Sequence, residues 1–190
     1  MTVLPVAAGL SFNTLATEPP QEVHPGASAA SVFGIGTPAS EDAIATIDID
    51  ILPDGRGLPD GSGNVSEGAE LYAAQCASCH GIDGQGGAFP ALAGGRPATA
   101  TELSVDGQIP HTLGNYWGYA TTLFDYIRRA MPYDKPGSLN DNAVYALSAY
   151  LLHLNELIPA DAVMNRETLP KVTMPALQYY RSANIDGSSD

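Results

Sequence analysis

Cysteine is nearly absent from this chain: its 190 residues hold two, Cys76 and Cys79. A disulfide between them would close a very short loop and restrain little of the unfolded chain. A structural zinc site wants four ligands. Apart from the histidine directly behind Cys79, the imidazoles at His24, His111 and His153 are scattered singly. Cations are also scarce. Lys and Arg total 8 against 21 Asp and Glu, a formal net charge of −13, and none precedes Arg56. Nucleic acid needs clustered cations, so it is set aside as a partner. No apolar run is long enough to cross a bilayer. The N-terminus lacks the charged start of a secretory signal.

What the chain does possess is concentrated in "QCASCHGIDGQGGAFPALAGG", residues 75 to 95. C-x-x-C alone also fits a redox dithiol, but that reading expects a βαβ context and leaves His80 without a role. A surface dithiol beside an incidental histidine is the plainer alternative. With His80 included the string is C-x-x-C-H, the attachment signature of c-type haem. Cys76 and Cys79 would then form thioethers, and His80 would be the proximal iron ligand. Such haem implies maturation outside the cytoplasm, so Met1 is read as the start of a processed or recombinant form.

The chain divides by composition. Residues 1–63 are rich in Pro, Gly, Ala and Ser and read as an acidic arm, either a linker or an extended segment that pairs with another protein. Within it, "IATIDIDIL" (44–52) alternates apolar and acidic residues as a strand does. Helical signals begin at "NVSEGAELYAAQC", where Asn64 or Ser66 can cap and Leu71, Ala74 and Cys76 are expected on the buried side. "YATTLFDYIRRA" predicts a second helix, with Arg128 and Arg129 in its last turn and Pro132 as its stop. A third starts at Asn140, carries the stripe Val144, Leu147, Leu151 and Leu154, and is expected to end by Pro159. The extension 159–190 is too polar for a core of its own and is expected to lie over the neighbouring domain or a partner.

Haem held at Cys76 and Cys79 requires a chain that turns sharply against a flat ring. The glycines at 81, 84, 86 and 87 suit that task. The second nitrogen of His80 needs an acceptor to fix the ring, and the Pro90 carbonyl is the candidate. An electron carrier also wants a sixth iron ligand from the protein. His111, His153, Met131, Met164 and Met174 are available; Met131, at the end of the second helix and before Pro132, is preferred, with His111 the better histidine rival. Tyr116, Trp117, Tyr119, Leu123 and Phe124 either line a haem pocket or pack in the core.

These features together resemble the class I cytochromes c: C-x-x-C-H after a short helix, Pro90 and Leu92 in the loop, and "AMP" (130–132) before a last helix. Gly68 and Tyr72, with Leu147 and Tyr150, resemble the small-and-aromatic helix crossing of that family. The resemblance implies an all-α class I cytochrome c fold wrapped around one covalent haem, with extended N- and C-terminal arms. The haem domain would span 64–158. It assigns Cys76, Cys79, His80, Pro90, Leu92, Trp117 and Met131 to cofactor binding, and His80 and Met131 to the iron.

Longer stretches, "IDIDILPDGRGLPDGSGNVSEGAELYAAQCASCHG", "YWGYATTLFDYIRRAMPYDKPGSLNDNAVYALSAYLL" and "TLPKVTMP", are similar to the cytochrome subunit of sulfane (sulfite) dehydrogenases of the Sox sulfur-oxidation system. That likeness implies a periplasmic electron-transfer subunit rather than a catalyst alone, with a molybdopterin dehydrogenase subunit as donor and another cytochrome as acceptor. Family members commonly carry a second haem domain. With one C-x-x-C-H, this chain is a one-haem form or a shortened one. A free-standing shuttle and a haem-catalytic sulfur-compound oxidoreductase are the alternatives.

Overall fold

The computed structural model describes residues 36–94, 99 and 109–180. Residues 1–35 of the acidic arm and 181–190 of the C-terminal extension lie outside that set. The chain forms two compact units, Met1–Ile44 and Ala45–Asp190. A short helix, α1 (Glu41–Ile47), has no buried residue. The Ser40 hydroxyl caps its start by accepting from the Ala43 amide at 3.2 Å. This corrects the strand expected over 44–52: its first four residues are helical and the remainder is irregular. The alternation there has another origin, since Ile51 is buried while Asp50 reaches out to Arg129.

The second unit runs β1 (Ser62–Asn64), α2 (Val65–Gln75), α3 (Ala77–His80), α4 (Ala120–Ala130), α5 (Asp141–Leu154) and β2 (Val163–Asn165). Two 3₁₀ turns follow, Leu169–Lys171 and Pro175–Tyr179. Asn64 starts α2 through a reciprocal capping box with Glu67, the two bonds measuring 2.9 and 3.1 Å. Both satisfy amide groups that a helix start leaves without partners. The buried face of α2 consists of Val65, Gly68 and Tyr72; Ala74, expected inside, is exposed.

Helix α4 is strongly amphipathic and buries Ala120, Thr121, Leu123, Phe124 and Ile127. Arg129 in its last turn pairs with Asp125 one turn back at 2.8 Å and with Asp50. Met131 terminates the helix, and the Met131–Pro132 bond is cis. Helix α5 is capped by the Asn140 side chain, which accepts from the Ala143 amide at 2.9 Å. It buries a nearly continuous run from Val144 to Leu152 and is the central element of the core. It ends at Asn155, short of Pro159, because Glu156 adopts a left-handed φ of 59°.

Helices α2 and α5 cross where Gly68 meets Ala146. A Cβ at Gly68 would lie 2.0 Å from the Ala146 carbonyl oxygen and 2.7 Å from Tyr150 Cβ, so only glycine admits this approach. Gly63 lies as close to the same turn of α5, its virtual Cβ 2.2 Å from the Ala146 amide nitrogen.

The flanking segments complete this core. Ile51 and Leu58 on one side and Met164, Leu169 and Met174 on the other join its main hydrophobic cluster. Strands β1 and β2 pair antiparallel, Gly63 opposite Met164, and add a small sheet to the helical architecture. The Thr121 hydroxyl donates to Pro53 O at 3.0 Å and the Tyr145 hydroxyl to Pro59 O at 2.9 Å, fastening the preceding segment to α4 and α5. Among the described residues no helix is long and apolar enough to cross a membrane.

Candidate haem site

Helix α3 is a single turn that carries the C-x-x-C-H string. Its amides at Cys79 and His80 donate to Cys76 O at 3.1 and 3.0 Å, so the two cysteines and the histidine are set by one local hydrogen-bonded coil. Cys76 and Cys79 stand at intermediate exposure and are not joined by a disulfide. Burial, then the neighbouring Cys79, pushes the Cys76 thiol up to about 11. No group of three or more His, Cys, Asp or Glu among the described residues is arranged to hold a metal ion.

Behind His80 the chain doubles back through a glycine loop. Gly81 has a φ of 84°, and a Cβ there would meet the Gln85 side chain and the Gly86 carbonyl at 2.5 and 2.6 Å. Backbone bonds then lace the loop onto α3: Gly86 N to His80 O at 2.8 Å and Phe89 N to Cys79 O at 3.1 Å. The Leu92 and Ala93 amides both donate to Gly84 O, at 2.7 and 2.9 Å. This lacing delivers Pro90 to the imidazole. His80 Nδ1 lies 2.9 Å from Pro90 O. A carbonyl can only accept, so Nδ1 carries the proton and Nε2 keeps its lone pair for a ligand bond.

A further contact, absent from the sequence reading, fixes the same loop from α2. The Tyr72 hydroxyl donates to Gly81 O at 2.8 Å, while its ring, 1% exposed, tilts against Tyr150 at 5.2 Å. Asn155 was also missed. Its side chain donates to Leu92 O at 3.1 Å and Leu151 O at 2.8 Å and accepts from the Gly114 amide at 3.0 Å, joining the end of α5 to two loops. Its only sequence signal was its place just past the apolar stripe of α5.

Cys76, Leu92, Trp117 and Met131 all occur as partly buried groups packed against the main core. Trp117 is turned by its indole N–H, which donates to the Thr122 hydroxyl at 3.0 Å. Leu123 and Phe124 are core residues, 3% and 0% exposed, whereas Tyr116 and Tyr119 are exposed. Of the candidate sixth ligands, Met164 and Met174 are buried in the core at 5% and 2%. His153 is satisfied by Ile158 O at 3.1 Å. Met131 sits half-buried at the helix end, and His111 keeps a buried Nε2 with no hydrogen-bond partner among the described residues.

The donor set fits covalent haem: two accessible thiols on one turn, an imidazole whose tautomer is fixed with Nε2 free, and a half-buried thioether. Residues 65–155 match the cytochrome c family model. The thiosulfate dehydrogenase of Stutzerimonas stutzeri (strain A1501) is 33% identical over 97 residues, a stretch that covers 49% of this chain and 28% of that protein. The crystal structure of the sulfane dehydrogenase SoxCD from Paracoccus pantotrophus is similar at 36% identity with a TM-score of 0.69, covering 80% of this chain and 73% of that one. This chain therefore belongs to the cytochrome c family and carries covalently bound haem c.

Proposed function

We propose that this chain is the electron-transfer subunit of a periplasmic sulfur-oxidising enzyme. It takes electrons from a molybdopterin sulfane or sulfite dehydrogenase subunit and hands them to a downstream cytochrome. The observation that carries this reading is the His80–Pro90 bond, which leaves the His80 Nε2 lone pair free to bind the iron. Haem, when bound, supplies one-electron redox chemistry. The protein supplies the rest. Cys76 and Cys79 would tether the macrocycle, His80 Nε2 and Met131 Sδ would ligate the iron, and Leu92 and Trp117 would wall the pocket. A methionine paired with a histidine would raise the potential relative to two histidines, suiting an acceptor of substrate-derived electrons. Likeness to SoxCD supports a sulfane dehydrogenase as the partner, and a c-type haem, matured outside the cytoplasm, supports the periplasm.

The net charge of −13 favours partners with basic docking faces. Such encounter is steered by charge and screened by salt. Stopped-flow mixing of the ferric holoprotein with the reduced molybdenum subunit should show haem reduction that slows as salt is raised. No reduction at any ionic strength would remove this partner.

The likeness to a thiosulfate dehydrogenase favours one second reading, in which the chain itself oxidises a sulfur compound. That chemistry needs an open or labile iron position. Thiosulfate turnover by the isolated holoprotein with ferricyanide, together with carbon monoxide binding by the reduced form, would replace the electron-transfer reading.

A further inference from the structure

His111 is the one described residue whose side chain holds a buried polar atom without a hydrogen-bond partner, at Nε2. An orphan of this kind is costly to bury, and native interiors rarely keep one without a use. The plane of the ring is held by a neighbouring aromatic. It stacks on Tyr116 with centroids 4.1 Å apart and planes within 8°. Tyr116 is braced in turn by Tyr180, whose hydroxyl donates to Tyr116 O at 2.7 Å and whose ring meets it edge-on.

The polar groups around His111 are already engaged. Thr112 N–H donates to Asn115 Oδ1 at 2.8 Å, and the Asn115 amide donates to Pro110 O at 3.0 Å. The Thr112 hydroxyl donates to Gly94 O at 2.9 Å, and Leu113 N–H to Leu92 O at 3.1 Å. The Trp117 indole N–H is bonded to Thr122. The same bonds fasten the His111 loop onto Leu92–Gly94, directly after the carbonyl that orients His80. A buried imidazole nitrogen without a partner is thus held beside the loop that orients His80.

Haem c brings two propionate carboxylates, which need donors wherever the fold takes them from water. Cations to meet them are few: between Arg56 and Arg128 the sequence has only Arg96. We propose that His111 Nε2–H donates a hydrogen bond to a haem propionate, which makes His111 a cofactor-binding residue that does not touch the iron. This inference rests on the haem reading above and deepens it.

The test uses the holoprotein. In wild-type protein labelled with ¹⁵N-histidine, the His111 Nε2–H should give a resonance that exchanges slowly with water. Replacing the donor by His111→Phe should shift the propionate bending mode in resonance Raman spectra and lower the midpoint potential, because the carboxylate charge is less compensated. His111→Gln, which restores an N–H, should recover part of both. The methionine-to-iron charge-transfer band should persist in every variant. An unchanged propionate mode and potential, or a rapidly exchanging N–H, overturns the proposal while leaving Met131 as ligand untouched. Absence of the charge-transfer band from the wild-type ferric protein, with its spectrum altered in His111→Phe, would place His111 on the iron and overturn both this proposal and the Met131 assignment.

Discussion

Tyr72 on α2 holds the carbonyl of Gly81, the residue that follows His80, at 2.8 Å. The bond passes from the buried helix crossing to the first residue after the haem-binding string, so packing at α2 and α5 bears directly on the placement of the imidazole. Tyr72→Phe keeps the ring and removes the bond. It should cost about 1–2 kcal/mol, the range for a buried neutral hydrogen bond whose acceptor is left alone. Urea unfolding of the two holoproteins checks the difference.

Gly68→Ala should be far worse than its single methyl implies. The added carbon would meet the Ala146 carbonyl at 2.0 Å, and backbone cannot yield as a flexible side chain does. A loss of about 2–3 kcal/mol is expected from overpacking. The contrasting change, Ala74→Gly on the exposed face of the same helix, should cost about 1 kcal/mol through propensity alone. Equal melting-point losses for the two would contradict the close crossing.

Met131→Ala should leave haem covalently attached, lower the midpoint potential and let the reduced protein bind carbon monoxide. Met164→Leu and Met174→Leu, which change buried core residues, should leave the spectrum and potential alone. An unaltered spectrum in Met131→Ala would mean that another side chain faces the iron. Cys76→Ser should retain a single thioether at Cys79, readable by intact mass.

Stability should fall in alkali. Burial pushes the phenols of Tyr72 and Tyr145 each up to about 12, with only smaller contributions from neighbouring charges. An unfolded chain ionises them near 10, so between roughly pH 10 and 12 the unfolded state releases protons that the native state keeps. The stabilisation is complete below pH 10 and drains away through that window, by about 2–3 kcal/mol per tyrosine at its end. Urea midpoints at pH 9 and pH 11 measure it, and Tyr145→Phe should flatten the slope.

The parts of the molecule written in local sequence were legible. Asn64 and Asn140 cap helices because a cap is decided within three residues, and both side chains make their expected bonds. The thioether string and the Pro90 acceptor lie in one short loop, so their proximity was also readable. Distant partners decided what was misread. Asp50 looked like the outer face of a strand, yet it reaches Arg129 on α4. Strands β1 and β2 have three residues each, too few to display a period, and they find each other across about 100 intervening residues. Asn155 and Tyr72 act through bonds to backbone carbonyls, which no side-chain pattern advertises. His111 was considered for its ligand chemistry, but only the structure shows that one of its nitrogens is enclosed without a partner.

Pairing Gly63 with Met164 means that the stretches entering and leaving the haem region are stitched to each other at the base of α5. A cytochrome cut back to its family-matched residues would lose that seam and expose the apolar surface of α5 beneath it. Transplanting this redox module into another enzyme therefore requires both hems of the garment, from about residue 50 to residue 176, rather than the central cloth alone.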